Sequence, residues 1–279
     1  MSSFPQSPTI GFIGFGQMAQ SIWRGVCKNG TLPYASCGFY QRRMDVARQI
    51  ELEFPTVTFM DLAAVCQADI VVFAIKPQQL PDVLATLPPC RPNCVVSILA
   101  GTRLSSFESA FGKDTPIVRS MPNMPAALQQ AMTGIAFGNG FHTAHMNRVN
   151  RDRIRTWIEH LFTCIGDIVI VDELQMDVVT AISGSGPGFL CEIAEMIAEI
   201  GRAHGLDAAV CQRLIAQTMI GTGHLLRQTD ITPAERVTSV CSPGGTTESG
   251  LSTLRDLNAK AGIQGMIESA IQRAKFLSN

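Results

Sequence analysis

The sequence predicts an α/β protein in two parts: a parallel-sheet domain over residues 1–170, then an all-helical domain over residues 171–279. Two observations carry this. Short β-branched or aromatic runs alternate with amphipathic stretches through the first half, and strand-like runs cease after Asp172. Strand, helix, strand at such spacing implies βαβ units with right-handed crossovers.

The elements follow in order. Thr9 to Ile13, Cys37 to Tyr40, Ile70 to Ile75, Cys94 to Leu99 and Ile117 to Ser120 are too short for buried helices and read as strands. Gln17 to Lys28, Met44 to Leu52 and Pro81 to Leu87 read as helices between them. Met132 to Phe137 and Ile165 to Val171 extend the sheet around a helix at Asn147 to Phe162. Pro187 to His204 is one long helix, with proline in its first turn and Gly205 after its end. Phe189, Ile193, Met196, Ile197 and Ile200 form its apolar stripe, while Ala194, Ala198, Gly201 and Ala203 permit close helix approach. Ala208 to Leu226 and Ala261 to Phe276 repeat the helical period.

Composition narrows the function. Of the residues 46% are hydrophobic and 16% charged, enough to bury a core. A net charge of −1 argues against a nucleic-acid surface. The longest apolar runs are strand-sized, so no membrane span is expected, and no signal-peptide pattern opens the sequence. Nine scattered cysteines without a C-x-x-C pair read as reduced thiols of a cytoplasmic protein. His142 and His145 form the one histidine pair; lacking a third ligand, they predict a surface loop and no metal site.

Gly14-Phe-Gly16-Gln-Met-Ala19 follows the first strand and opens a helix. The first glycine allows a tight turn, the second lets the backbone approach a pyrophosphate, and the alanine keeps helix and sheet close. The second strand ends in Tyr40-Gln41-Arg42-Arg43, where an NAD site carries an acidic residue. Two guanidinium groups and no carboxylate favour a 2′-phosphate, hence NADPH, with NADH weaker.

A second anion site is expected at 242–247, SPGGTT. Proline and two glycines stop and turn the chain, and Thr246 to Arg255 resumes a helical pattern with its first N–H groups unpaired. Such a nest suits a small carboxylate.

These motifs together resemble the pyrroline-5-carboxylate reductase family: IGFIGFGQMA (10–19), FAIKPQ (73–78), SILAG (97–101), RSMPNMPA (119–126), DVVTAISGSGPGF (177–189) and SPGGTTESGL (242–251). The last two are specific, because generic Rossmann reductases lack them. The resemblance implies a Rossmann-type domain followed by a helical dimerisation domain, giving a homodimer or a homo-oligomer of dimers. It implies reduction of 1-pyrroline-5-carboxylate to L-proline, the last step of proline biosynthesis. Gly14, Gly16, Gln17 and Met18 would bind cofactor phosphates. Ile75, Lys76, Pro77, Ala100 and Asn123 would lie along the nicotinamide half. Glu173, Thr180, Gly245, Thr246 and Thr247 would line the imino-acid pocket, with Thr247 near the ring nitrogen as the catalytic contact. Asp230 would reach a partner's pocket.

Some positions depart from the family pattern: Met124 within MPNMP, Phe189 after SGSGP, Glu248 after the two threonines, Leu254-Arg255-Asp256, and Asp61 on the adenosine side. A β-hydroxyacid dehydrogenase would need a lysine on the first long helix of the second domain, and Pro187 to His204 has none. A regulatory protein that binds the nucleotide without turnover would not need SPGGTT.

Overall fold

The computed structural model describes residues 7–28, 34–143, 147–228 and 230–277. Two compact units emerge: one runs to Ser185 and takes back the chain from Ala270, the other spans Gly186–Ser269. The boundary expected at 170 falls at the end of the last strand, ahead of this division.

The first unit holds eight strands: β1 (Thr9–Ile13), β2 (Ser36–Tyr40), β3 (Thr58–Phe59), β4 (Ile70–Phe73), β5 (Cys94–Ser97), β6 (Ile117–Met121), β7 (Ala131–Phe137) and β8 (Gly166–Ile170). They form one sheet in the order β3-β2-β1-β4-β5-β6-β7-β8. Every neighbouring pair is parallel except β6 with β7. That reversal follows from the short link between them, a 3₁₀ turn at Met124–Leu128 closed by Gln129 in the left-handed region, too short for a crossover helix.

Helices cover both faces: α1 (Gln17–Cys27), α2 (Met44–Glu53), α3 (Leu62–Val65), α4 (Leu80–Thr86), α5 (Leu104–Phe111), α6 (Arg148–Thr163) and α7 (Met176–Val179). The β1 alternation sends Ile10 and Phe12 into one core with Trp23, Phe39 and Ile158, and Ile13 into the opposite core with Phe73, Leu99 and Phe107. Burial on both faces explains why these strands read as continuous apolar runs.

The second unit is helical: α8 (Gly186–Ala203), α9 (Ala208–Leu226), α10 (Pro233–Val240), α11 (Thr246–Asp256) and the start of α12 (Ala259–Leu277). Each of α8 and α9 buries one residue, Ala198 and Cys211, and α10 and α11 bury none. Met196, Ile197, Ile200, Leu214, Ile220 and Val240 are all exposed in the single chain. Apolar stripes this open on helices mark an association surface.

Among the described residues, no helix is long and apolar enough to cross a membrane, and no three His, Cys, Asp or Glu side chains gather as a metal-binding group. His145 lies outside the described residues. The nine cysteines are free, and burial pushes the thiols of Cys37 and Cys94 up and that of Cys66 to about 12.

Candidate active site

The nucleotide end is built at the C-terminal edge of β1. Gly14 has φ +85°, and its N–H donates to Tyr40 O at 2.9 Å, tying the turn to the end of β2. A Cβ there would sit 2.7 Å from Ile75 Cγ2, so glycine is required by both angle and space. Phe15 is fully buried and anchors the turn, and its carbonyl accepts a bond from Gln20 Nε2 at 3.0 Å. Gly16 is the N-cap of α1, and a Cβ on it would meet nothing within 4 Å. With no side-chain cap on the helix, the first-turn N–H groups of Gln17, Met18 and Ala19 have no hydrogen-bond partner among the described residues, the donor set a pyrophosphate requires.

The two arginines after β2 are not equivalent. Arg43 forms a bidentate pair with Asp45 in the first turn of α2, and that hydrogen bond holds the Asp45 carboxyl below its usual range. Arg42 has no ion-pair partner among the described residues. Together with Gln41, whose Oε1 accepts from the Arg42 N–H at 3.0 Å, it lines a cavity of about 300 Å³. Gly14, Tyr40, Ile75, Leu62, Gln79 and Asp82 line the same cavity. Asp61 stands apart from it as the N-cap of α3, its Oδ1 accepting from Ala64 N at 2.7 Å.

The expected nicotinamide positions lie along the ends of β4, β5 and β6. Ile75 follows β4, and Lys76 is exposed with its N–H on Gln79 Oε1 at 3.2 Å, opening a 3₁₀ turn at Pro77. Ala100 precedes Gly101, which has φ +73°. Asn123 is 8% exposed and bolts three segments together: Nδ2 donates to Ser183 O at 3.1 Å, and Oδ1 accepts from Met132 N at 3.0 Å.

Glu173 bonds a distant helix start, whereas Thr180 bonds within its own helix. Glu173 Oε1 accepts the first N–H of α5, from Leu104, at 2.6 Å and lies 3.7 Å from Arg119 Nη1. Arg119, buried on β6, donates to Asp177 Oδ1 at 2.9 Å. Thr180 Oγ1 donates to Met176 O at 2.8 Å and begins a π-helical turn, Thr180–Gly184. Arg119, Asp177 and the π turn are not among the site residues expected from the sequence. The signal for the first was an arginine inside an apolar strand, which needs a buried partner.

In the second unit, Gly244 has φ +70° and Gly245 caps α11 without a side-chain bond. The Gly245 N–H donates to Ser242 O at 2.9 Å, and the Gly244 N–H to Glu248 Oε2 at 2.7 Å. The donors left open are therefore those of Thr246, Thr247 and Glu248, one residue further on than the expected set. Gly245 supplies the turn geometry, since a Cβ there would lie 2.3 Å from Ser242 Oγ.

Comparison with known proteins decides the family. The description "Pyrroline-5-carboxylate reductase dimerisation" matches residues 173–277, and "NADP oxidoreductase coenzyme F420-dependent" matches residues 9–101. The pyrroline-5-carboxylate reductase of Glycine max is 33% identical over 285 residues, covering 100% of both chains. The chain belongs to the pyrroline-5-carboxylate reductase family. Another member, from Methanosarcina acetivorans, is 32% identical with 98% of each chain covered. The solved reductase of Streptococcus pyogenes superposes with a TM-score of 0.84 at 27% identity, covering 97% of this chain and 99% of that one. The family's two-part plan, a Rossmann-type sheet and a helical dimerisation region, is the architecture seen here.

Proposed function

We propose that this chain reduces the C=N bond of 1-pyrroline-5-carboxylate to give L-proline, the last step of proline biosynthesis, with NADPH preferred over NADH. Family membership supports the reaction, as does the presence of two helix N-termini with open N–H groups, at α1 and α11. Bound NADPH supplies the hydride. The open donors of Gln17 and Met18 hold its pyrophosphate, and Arg42 takes the 2′-phosphate. Ile75, Lys76, Pro77 and Ala100 shape the nicotinamide end, and Asn123 fixes the backbone behind it. The N–H groups of Thr246, Thr247 and Glu248 receive the substrate carboxylate. Thr247 Oγ1 accepts a bond from the protonated ring nitrogen and holds it as the carbon is reduced. A protonated imine is already electrophilic, so orientation and exclusion of water suffice without a strong general acid.

Residues 171–279 act as the substrate-binding and dimerisation domain. Glu173 and Thr180 contribute by fixing the chain from Asp172 to Ser185. The active form is a homodimer or an oligomer of dimers, with Asp230 reaching a partner's pocket. Free thiols fit a cytoplasmic location. The test is NADPH oxidation with racemic 1-pyrroline-5-carboxylate and identification of the product; cofactor binding without turnover would overturn the reading.

A further inference from the structure

We propose that Asp82 reads the 6-amino group of the adenine ring, making the coenzyme site selective for the base as well as for the 2′-phosphate. This rests on the NADPH-dependent reaction proposed above. The starting point is the cavity beside Gly14. Arg42, just after β2, and Asp82, in the first turn of α4, both line it. With pyrophosphate on α1 and the ribose 2′ position beside Arg42, the base on the same ribose has this cavity to enter. Its volume of about 300 Å³ admits one purine.

The walls suit a flat heterocycle. Leu62, Ile75 and Val83 offer apolar contact to the ring faces, which leaves recognition to the ring edge. The polar groups there are largely engaged elsewhere. Gln79 Oε1 accepts from Lys76 N, and Thr86 Oγ1 donates to Asp82 O at 3.1 Å and Val83 O at 3.0 Å within its own helix. Asp82 is the one carboxylate among the described lining residues, and its side chain has no ion pair or hydrogen bond with any described residue. A carboxylate accepts only. Next to the phosphates it would repel the coenzyme, so it belongs at the end of the molecule that donates. On adenine, the donor is the exocyclic amine at C6. Hypoxanthine presents a carbonyl oxygen there, and two acceptors would face each other.

The experiment measures dissociation constants by fluorescence titration without substrate, for NADPH, NADH and the deamino analogue of NADPH carrying hypoxanthine. The wild-type protein should favour NADPH over the deamino analogue by about tenfold, the worth of one hydrogen bond to a charged group. Asp82→Asn should bring the two within about twofold, because an amide can turn either its oxygen or its NH₂ to the base. Its preference for NADPH over NADH should stay that of the wild type. Equal affinity of the wild type for both bases, or an unchanged ratio in Asp82→Asn, overturns the proposal. Arg42→Ala is the separate arm. If it keeps the wild-type preference for NADPH over NADH, the placement of the coenzyme itself fails, whatever the base ratio shows.

Discussion

Arg42→Ala and Arg43→Ala should differ sharply, although the two residues are adjacent and chemically identical. The reason is geometric. Arg43 is held by both carboxylate oxygens of Asp45, whereas Arg42 faces the cavity without an ionic partner among the described residues. A charge-assisted bond from Arg42 to a 2′-phosphate contributes about 1.5–3 kcal/mol, or roughly 10- to 150-fold in binding. Arg43 must first leave Asp45, so its contribution is a long-range, salt-screened one, and its removal should weaken NADPH binding less than about threefold. Fluorescence titration of both variants with NADPH and NADH reads this directly. Arg42→Ala should weaken NADPH alone. An equal loss in both variants, or an equal loss for both cofactors in Arg42→Ala, would refute the asymmetry and the assignment of this edge to the phosphate.

Thr247→Ala keeps the open backbone donors of α11, so it should lower kcat/KM by about ten- to a hundredfold while leaving the NADPH dissociation constant unchanged; weaker NADPH binding with normal turnover at saturating cofactor would assign the loop to the nucleotide. Ile200→Glu puts a charge on the open apolar face of α8 and should convert the oligomer to smaller species in light scattering with loss of activity; a fully active wild-type monomer at assay concentration would remove its basis. Thr133 is fully buried on β7 and its Oγ1 has no hydrogen-bond partner among the described residues, so Thr133→Val should be neutral or stabilise by about 1 kcal/mol in denaturant melts; a clear loss of stability would show that the hydroxyl is satisfied in solution.

Much of this protein is written locally. Runs such as Ile70 to Phe73 and the helical period from Gly186 to Ala203 fix element type through spacing alone, and Gly14 with Gly16 announces a strand–turn–helix. Hence the parallel sheet, the helical second part and the two helix N-termini are legible before any contact is known. Even the SPGGTT turn is a local device, since its bonds run between residues 242 and 248. What the sequence could not decide is which polar side chains remain available. That depends on partners brought together by strand register across long separations. Asn123 meets Ser183 sixty residues on, and Arg119 meets Asp177 fifty-eight on. Glu173, expected at the substrate, also caps α5 at Leu104, sixty-nine residues back in the chain. The reversal of β7 and the meeting of Asp82 and Arg42 in the lining of one cavity have the same origin. Side-chain periodicity is a property of each element alone, whereas the supply of hydrogen-bond partners is a property of how the elements pack.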